Sequence, residues 1–206
     1  HWNAGQVCVS AKRLIVDDTI YDRFVELYKK GVAELKAGDP MDPSTTLAPL
    51  SSRAAVEDLH RQVEEAVKHG AKVEVIGQEV PEKGTFFRPL LMTGLDGENE
   101  ARHWECFGPV TQLYRAKDEA DAIRIANDSP YGLGGAVFTK DEARGVRVAS
   151  KIRTGMVNIN HPLIPKADLP FGGVARSGFG RELVGLGIKE FVNHKLINVV
   201  DIDAPA

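Results

Sequence analysis

Asn3-Ala4-Gly5-Gln6-Val7-Cys8 opens a chain of 206 residues, and the reading of its final cysteine decides the fold expected around it. Gly5 admits the backbone angles of a close turn, and such a turn can present a nearby thiol to a cleft. On cysteine chemistry alone, Cys8 between Val7 and Val9 has the commoner role of a small buried hydrophobe. The choice therefore depends on what the rest of the chain carries.

The length allows one sizeable domain with at most a small appendage, and 43% hydrophobic residues is ordinary for a packed core. A net charge of −3, made of interspersed acids and bases, recommends neither nucleic acid nor a membrane surface as partner. No apolar run approaches the roughly 20 residues that span a bilayer, and His1-Trp2-Asn3 has no signal-peptide pattern. A cytoplasmic setting is expected, with both cysteines reduced. Cys8 and Cys106 lie far apart and neither belongs to a Cys-x-x-Cys pair, which argues against a disulfide framework and against zinc. The start at His1 rather than Met is expected of a segment of a longer protein.

Hydrophobic periodicity gives alternating strands and helices. Arg13 to Val16 reads as a strand, then a helix capped by Asp18 or Thr19 carries Ile20, Phe24, Leu27 and Leu35 on one face and ends at Gly38. Ser51 caps a second helix through Val56, Leu59, Val63 and Val67, closed by Gly70. Strands follow around Val73 to Val75, Phe86 to Met92 (limited by Pro89) and Thr111 to Tyr114. Helices at Asp118 to Asn127 and Asp141 to Lys151 flank strands at Gly135 to Thr139 and Met156 to Ile159. The alternation predicts an α/β fold, a mainly parallel sheet flanked by helices, with functional loops at the carboxyl ends of strands. After a glycine-rich loop from Lys166, a short helix around 182–193 leads to Lys195–Val200, which reads as a lone strand.

Four stretches share a pattern. With Asn3 to Cys8 go Glu105-Cys106-Phe107-Gly108-Pro109-Val110, Asn127 to Leu133 (Asn-x-x-x-Tyr-Gly-Leu), and Pro170 to Glu182 (Pro-Phe-Gly-Gly-x-x-x-Ser-Gly-x-Gly-Arg-Glu). In type, spacing and order they resemble the aldehyde dehydrogenase superfamily, whose complete members are more than twice this long. The resemblance implies a catalytic domain over 1–193, an assembly strand and tail over 194–206, and a dinucleotide-binding domain outside this chain. Leu59 to Val63 and Gly187 to Asn193 look closest to bacterial succinate-semialdehyde dehydrogenase-like members, although Trp2 stands where some of them carry an Arg.

By resemblance Cys8 is the nucleophile, forming a thiohemiacetal and then a thioester with an aldehyde, its own N–H being one oxyanion donor. Glu105 and Phe107 would hold the nicotinamide half of NAD or NADP, the choice between the two being made at the adenosine ribose elsewhere. Phe171 either packs in the core or lines the aldehyde tunnel, with Leu163 and Pro165 in the substrate-variable loop before it. Lys166, His161 and Arg176 either offer charge to a substrate carboxylate or are unpaired surface cations. Cys8 is expected at a cleft mouth, Glu105 and Phe107 on its side and Phe171 on the wall. The general base and a second oxyanion donor lie upstream in the family, so the 206 residues alone are expected to be inactive. The terminal strand implies a homo-oligomer, unless it completes the local sheet.

Two rivals stand beside this reading: a thiol hydrolase in which a histidine activates Cys8, and a non-catalytic assembly fragment. Glycines 172, 173, 178 and 180 do not make a phosphate loop, since no Gly-Lys-Ser/Thr follows them. His60 and His69 share a helix without a third ligand and are assigned no metal.

Overall fold

The computed structural model describes residues 1–95, 97, 99–162 and 165–205. Its main sheet has four strands, β1 (Arg13–Asp17), β2 (Lys72–Val75), β3 (Leu90–Thr93) and β4 (Val110–Ala116), in the order β1-β4-β3-β2. β4 runs parallel to both β1 and β3, and β2 is an antiparallel edge. The sheet is therefore mainly parallel.

Alternation along β3 sends Leu90 and Met92 to one face and Leu91 to the other, which is how a strand buried on both sides must be composed. Leu90, Met92 and Val110 pack against α2 (Arg53–Lys68) through Leu59 and Ala66. Leu91, Leu113 and Val16 pack against α1 (Tyr21–Ala33) through Phe24, Val25, Tyr28 and Val32. The result is helix, sheet, helix. α3 (Glu119–Asn127) also contacts β1 and β4, and Arg13 donates to its last-turn carbonyls at Ile125 (2.7 Å) and Ala126 (3.2 Å).

Both early helices differ from expectation for local reasons. α1 stops at Ala33 rather than running to Gly38, because the Lys36 carbonyl is taken by the amides of Thr46 and Leu47 and the chain leaves the helix to make that bridge. Its buried face is Phe24, Val25, Tyr28 and Val32, which leaves Leu27 51% exposed. In α2 the cap is Ser52, whose Oγ accepts from the Ala55 amide, while the expected cap, Ser51, donates its amide to Gln6 Oε1 at 2.8 Å. Ala66 takes the buried place expected of Val67. Gly70 closes the helix at φ +98°.

The second half is built of smaller units. β5 (Tyr131–Gly132) pairs antiparallel with β8 (Val174–Ala175), and β6 (Gly134–Val137) pairs parallel with β7 (Met156–Ile159) beside α4 (Glu142–Ala149). α5 (Val184–Gly187) and a 3-10 turn at Ile188–Phe191 stand where a single helix was expected. Lys195–Val200, expected as a lone strand, makes no strand pairing among the described residues of this chain. A strand exists only where its backbone groups meet those of another, and this segment's partner is not found among those residues. It stays exposed, Leu196 at 88% and Val199 at 89%. Among the described residues no helix is long and apolar enough to cross a membrane.

Candidate active site

β1 and β4 are parallel neighbours with Arg13 opposite Gln112, so the segments that lead into them, 8–12 and 105–109, lie side by side. Functional loops were expected at the carboxyl ends of strands. The candidate nucleophile and cofactor residues instead gather at the amino ends, because both precede their strands in sequence. The approach is close: a Cβ on Gly5 would lie 2.2 Å from the Gly108 carbonyl oxygen, so only glycine fits.

The turn before Cys8 is strained. Asn3 (φ 48°), Ala4 (φ 53°) and Gly5 (φ 77°) form a left-handed run, which for the two non-glycine residues costs about 1–2 kcal/mol each. Two side chains hold it. Gln6 donates Nε2 to the carbonyls of Asn3 (3.2 Å) and Pro49 (3.1 Å) and accepts from Ser51, tying the turn to the entrance of α2. Lys12 donates Nζ to the carbonyls of Gly5 (2.7 Å) and Val7 (2.8 Å). A tight turn then runs from Val7 to Ser10, closed by the Ser10 amide on the Val7 carbonyl at 3.0 Å. Cys8 sits exposed at its corner, and its backbone N–H has no acceptor among the described residues. A thiol beside an unspent N–H is a geometry suited to attack on a carbonyl and stabilisation of the resulting oxyanion.

The neighbouring segment is fixed from beneath by Gln112, fully buried on β4. Its Nε2 donates to the carbonyls of Ala101 (2.8 Å) and Trp104 (3.2 Å), and its Oε1 accepts from the Tyr114 hydroxyl (2.9 Å). His103 and Arg102 reach across to Asp128 at 3.0 and 3.2 Å, joining the same segment to the end of α3. The His103 hydrogen bond is the chief cause holding the Asp128 carboxyl below its ordinary value. The three residues that follow then divide. Cys106 points into the core, where burial pushes its thiol up to about 11 and leaves it inert. Glu105 is half-buried, and Phe107 is 46% exposed. Lys12 Nζ lies over the Phe107 ring, 5.0 Å from its centroid, and within electrostatic reach of Glu105 and both thiols. Burial lowers the Lys12 pKa, with those partners opposing the shift. Cys8, Glu105 and Phe107 are thus gathered around one ammonium.

Phe171 belongs to the glycine-rich segment. Its amide and carbonyl pair with Glu182, and the ring is half-buried between two clefts. The larger, about 600 Å³, runs along the glycine-rich segment and α5. The smaller, about 250 Å³, is lined by Met156, Asn158, Pro165, Lys166 and Leu169 with Phe171. Neither includes Cys8, Glu105 or Phe107. Leu163 lies outside the described residues. Lys166 is exposed at the rim of the smaller cleft, the Arg176 amide donates to the Pro130 carbonyl, and His161 Nδ1 meets the Pro162 carbonyl.

The histidines bear on the rival reading. His60 packs on Phe87 (centroids 4.7 Å apart), His69 meets the Glu65 carbonyl, His103 meets Asp128 and His1 meets Tyr28. No imidazole among the described residues hydrogen-bonds Cys8, which removes the histidine-activated thiol hydrolase within this chain. Sequence reasoning missed Lys12, Gln6 and Gln112. A signal for Lys12 was present: a cation four residues after the cysteine, directly before a strand whose middle, Leu14 to Val16, is apolar. Gln112, between Thr111 and Leu113, reads from sequence as an ordinary strand residue.

The aldehyde dehydrogenase family model matches residues 1–197. A succinate-semialdehyde dehydrogenase [NADP(+)] of Deinococcus radiodurans is 51% identical over 195 residues, 95% of this chain and 41% of the relative. One of Mycobacterium avium is 41% identical with the same coverage. Among solved structures, succinic semialdehyde dehydrogenase from Streptococcus pyogenes in complex with NADP+ superposes with a TM-score of 0.90 at 46% identity, over 96% of this chain and 44% of that one. Betaine aldehyde dehydrogenase from Staphylococcus aureus in complex with NAD+ gives 0.87 at 34%, over 97% and 42%. The chain therefore spans about two fifths of the length of the curated relatives it matches. With nearly all of its residues inside that match and its backbone superposing on these enzymes, the chain belongs to the aldehyde dehydrogenase family.

Proposed function

We propose that this chain is the catalytic portion of an NAD(P)-dependent aldehyde dehydrogenase whose substrate is a small carboxylate-bearing aldehyde, succinate semialdehyde. One observation carries the reading: an exposed thiol with a free backbone N–H stands beside Glu105 and Phe107 on the adjacent strand entry. The substrate and a preference for NADP rest on the names of the relatives.

The Cys8 thiolate attacks the aldehyde carbon, forming a C–S bond, and the carbonyl oxygen becomes an oxyanion that the Cys8 N–H can bind. The half-exposed Phe107 ring and the Glu105 carboxylate fit the nicotinamide-ribose end of a dinucleotide, the ring packing against it and the carboxylate accepting from ribose hydroxyls. The nicotinamide of a dinucleotide held there would supply the acceptor for the hydride on the carbon that Cys8 holds tetrahedral. Water then cleaves the Cys8 thioester, releasing the carboxylic acid and the thiol. Covalent attachment at Cys8 keeps the carbon in place between the two half-reactions. Phe171 and Pro165, with Leu163, belong to the substrate side, and Lys166 at the rim of the smaller cleft offers charge to a carboxylate. Residues 1–193 form the catalytic domain in a cytoplasmic homo-oligomer, and 194–206 form its assembly strand.

The test uses Cys8 itself. Succinate semialdehyde is expected to slow alkylation of Cys8 saturably, and more than butanal does, because only the former carries a carboxylate. In a longer protein that contains these residues, Cys8→Ala is expected to abolish aldehyde-dependent reduction of NADP+. Turnover surviving that substitution, or alkylation indifferent to the aldehyde, overturns the reading.

A further inference from the structure

Lys12 has three N–H donors and no acceptor. Two are committed to the carbonyls of Gly5 and Val7, at 2.7 and 2.8 Å, one on either side of Gln6 in the turn that carries Cys8. The ammonium also stands 5.0 Å from the centroid of the Phe107 ring, within the range of a cation–π contact. Its main chain leads into β1 at Arg13, and its backbone carbonyl accepts from the Gln112 amide at 2.9 Å, so the residue is fastened to β4 at its backbone and to the cysteine turn at its ammonium.

The turn needs such a fastening. A left-handed run at Asn3 and Ala4 persists only where the surroundings over-determine it. Gln6 binds the turn outward, to Pro49 and Ser51. Lys12 is the side chain that binds it toward the segment carrying Glu105 and Phe107. It also places a half-buried positive charge within reach of Cys8, where no histidine stands. With two of its three donors committed to carbonyls of the turn, Lys12 is suited to hold the site.

We propose that Lys12 is a positioning residue for the reaction: it clamps the Cys8 turn against the face of Phe107 and keeps a positive charge beside the thiol. The role is specific to an ammonium. A neutral side chain of equal length fills the space and loses both the clamp and the field, while an arginine keeps the charge and its donors with altered geometry. This rests on Cys8 being the nucleophile, but the charge beside it is measurable without any turnover.

The experiment compares alkylation of Cys8 by anionic iodoacetate and by neutral iodoacetamide in the 206-residue chain, with Cys8→Ala as the blank and the modified residue located by mass spectrometry. Lys12→Met is expected to lower the iodoacetate-to-iodoacetamide rate ratio about threefold or more, since a nearby unit charge acts on the anion alone. Lys12→Arg is expected to restore the ratio to within about twofold of the original. About 1 M salt is expected to compress the ratio of the unsubstituted chain toward that of Lys12→Met. A folded Lys12→Met whose ratio is unchanged overturns the proposal. If Lys12→Met does not fold, Lys12→Gln and the salt dependence of the unsubstituted chain decide it, a salt-independent ratio counting against. A longer protein in which Cys8→Ala retains full turnover would refute the nucleophile and leave the charge measurement standing, so the two failures are told apart.

Discussion

Gly5 and Gly108 meet backbone against backbone, and no side chain fits between them. A Cβ on Gly5 would stand 2.2 Å from the Gly108 carbonyl oxygen and 2.7 Å from its carbon, in a residue already at φ +77°. This contact brings the cysteine turn and the Glu105–Pro109 segment to one place. Gly5→Ala is therefore expected to cost several kcal/mol or to prevent folding, since strained backbone and an immovable neighbour act together. Gly70→Ala is the control, also at positive φ (+98°) but with nothing within 4 Å of the added methyl, and it is expected to cost only about 1–2 kcal/mol. Urea unfolding of the two variants compares them. Equal losses would mean that the close approach is not what holds the site.

The two cysteines should differ sharply as nucleophiles. Cys106 is 1% exposed and pushed up to about 11, so about a thousandth of it is thiolate at pH 8 before access is considered. Cys8 is exposed on a turn. One equivalent of iodoacetamide at that pH is expected to appear on Cys8 alone, with Cys106 labelled only after denaturation. Peptide mass mapping reads the outcome, and early labelling of Cys106 in the folded chain would contradict the arrangement.

Asp128 gives a pH signature. Its carboxyl is held below the ordinary 3.8 first by the His103 hydrogen bond, and also by the charges of His103 and Arg102. A depressed folded pKa contributes stability that is fully present above the ordinary value and is lost as the pH falls through the folded one. Asp128→Asn is accordingly expected to destabilise the chain at pH 7, by a margin that holds steady down to about pH 5 and shrinks toward zero under stronger acid. Chemical denaturation along a pH series measures this. A margin that grows on acidification would mean that the carboxylate is not the favoured form.

The sequence carried the strands and helices because burial on a two-faced sheet leaves a periodic mark: Leu90, Leu91 and Met92 read as a strand, and they alternate between two cores. It also carried the join of Cys8 with Glu105 and Phe107, through motifs whose order the fold respects. It did not carry where that join would lie. The amino ends of β1 and β4 follow from their being adjacent in the sheet, and adjacency between residues 13 and 112 leaves no local trace. Ser51 was misread as the cap because its amide answers a side chain 45 positions away, Gln6. Buried polar hubs such as Gln112 are invisible for the same reason, since a glutamine on a strand looks alike whether it meets water or three partners.

The terminal segment supports a prediction about assembly. Leu196, Ile197, Val199 and Val200 are 71–89% exposed, and nothing among the described residues pairs with their backbone. In an extended strand Leu196 and Val200 point to one side and Ile197 and Val199 to the other, so both faces are apolar, as befits a strand covered on both sides. Leaving such a segment in water is unfavourable, and an unpaired strand is a template for another sheet edge. The chain is expected to self-associate at micromolar concentrations, measured as molar mass by light scattering. Ending the chain at 193 should return it to a monomer. Asn198→Pro is the sharper variant, because it keeps every apolar side chain but removes one N–H and disfavours the ladder. If assembly is by strand pairing, Asn198→Pro weakens it at least tenfold, whereas mere hydrophobic stickiness survives it. A monomer at all concentrations, or association unmoved by the proline, would show that 194–206 is not an assembly strand.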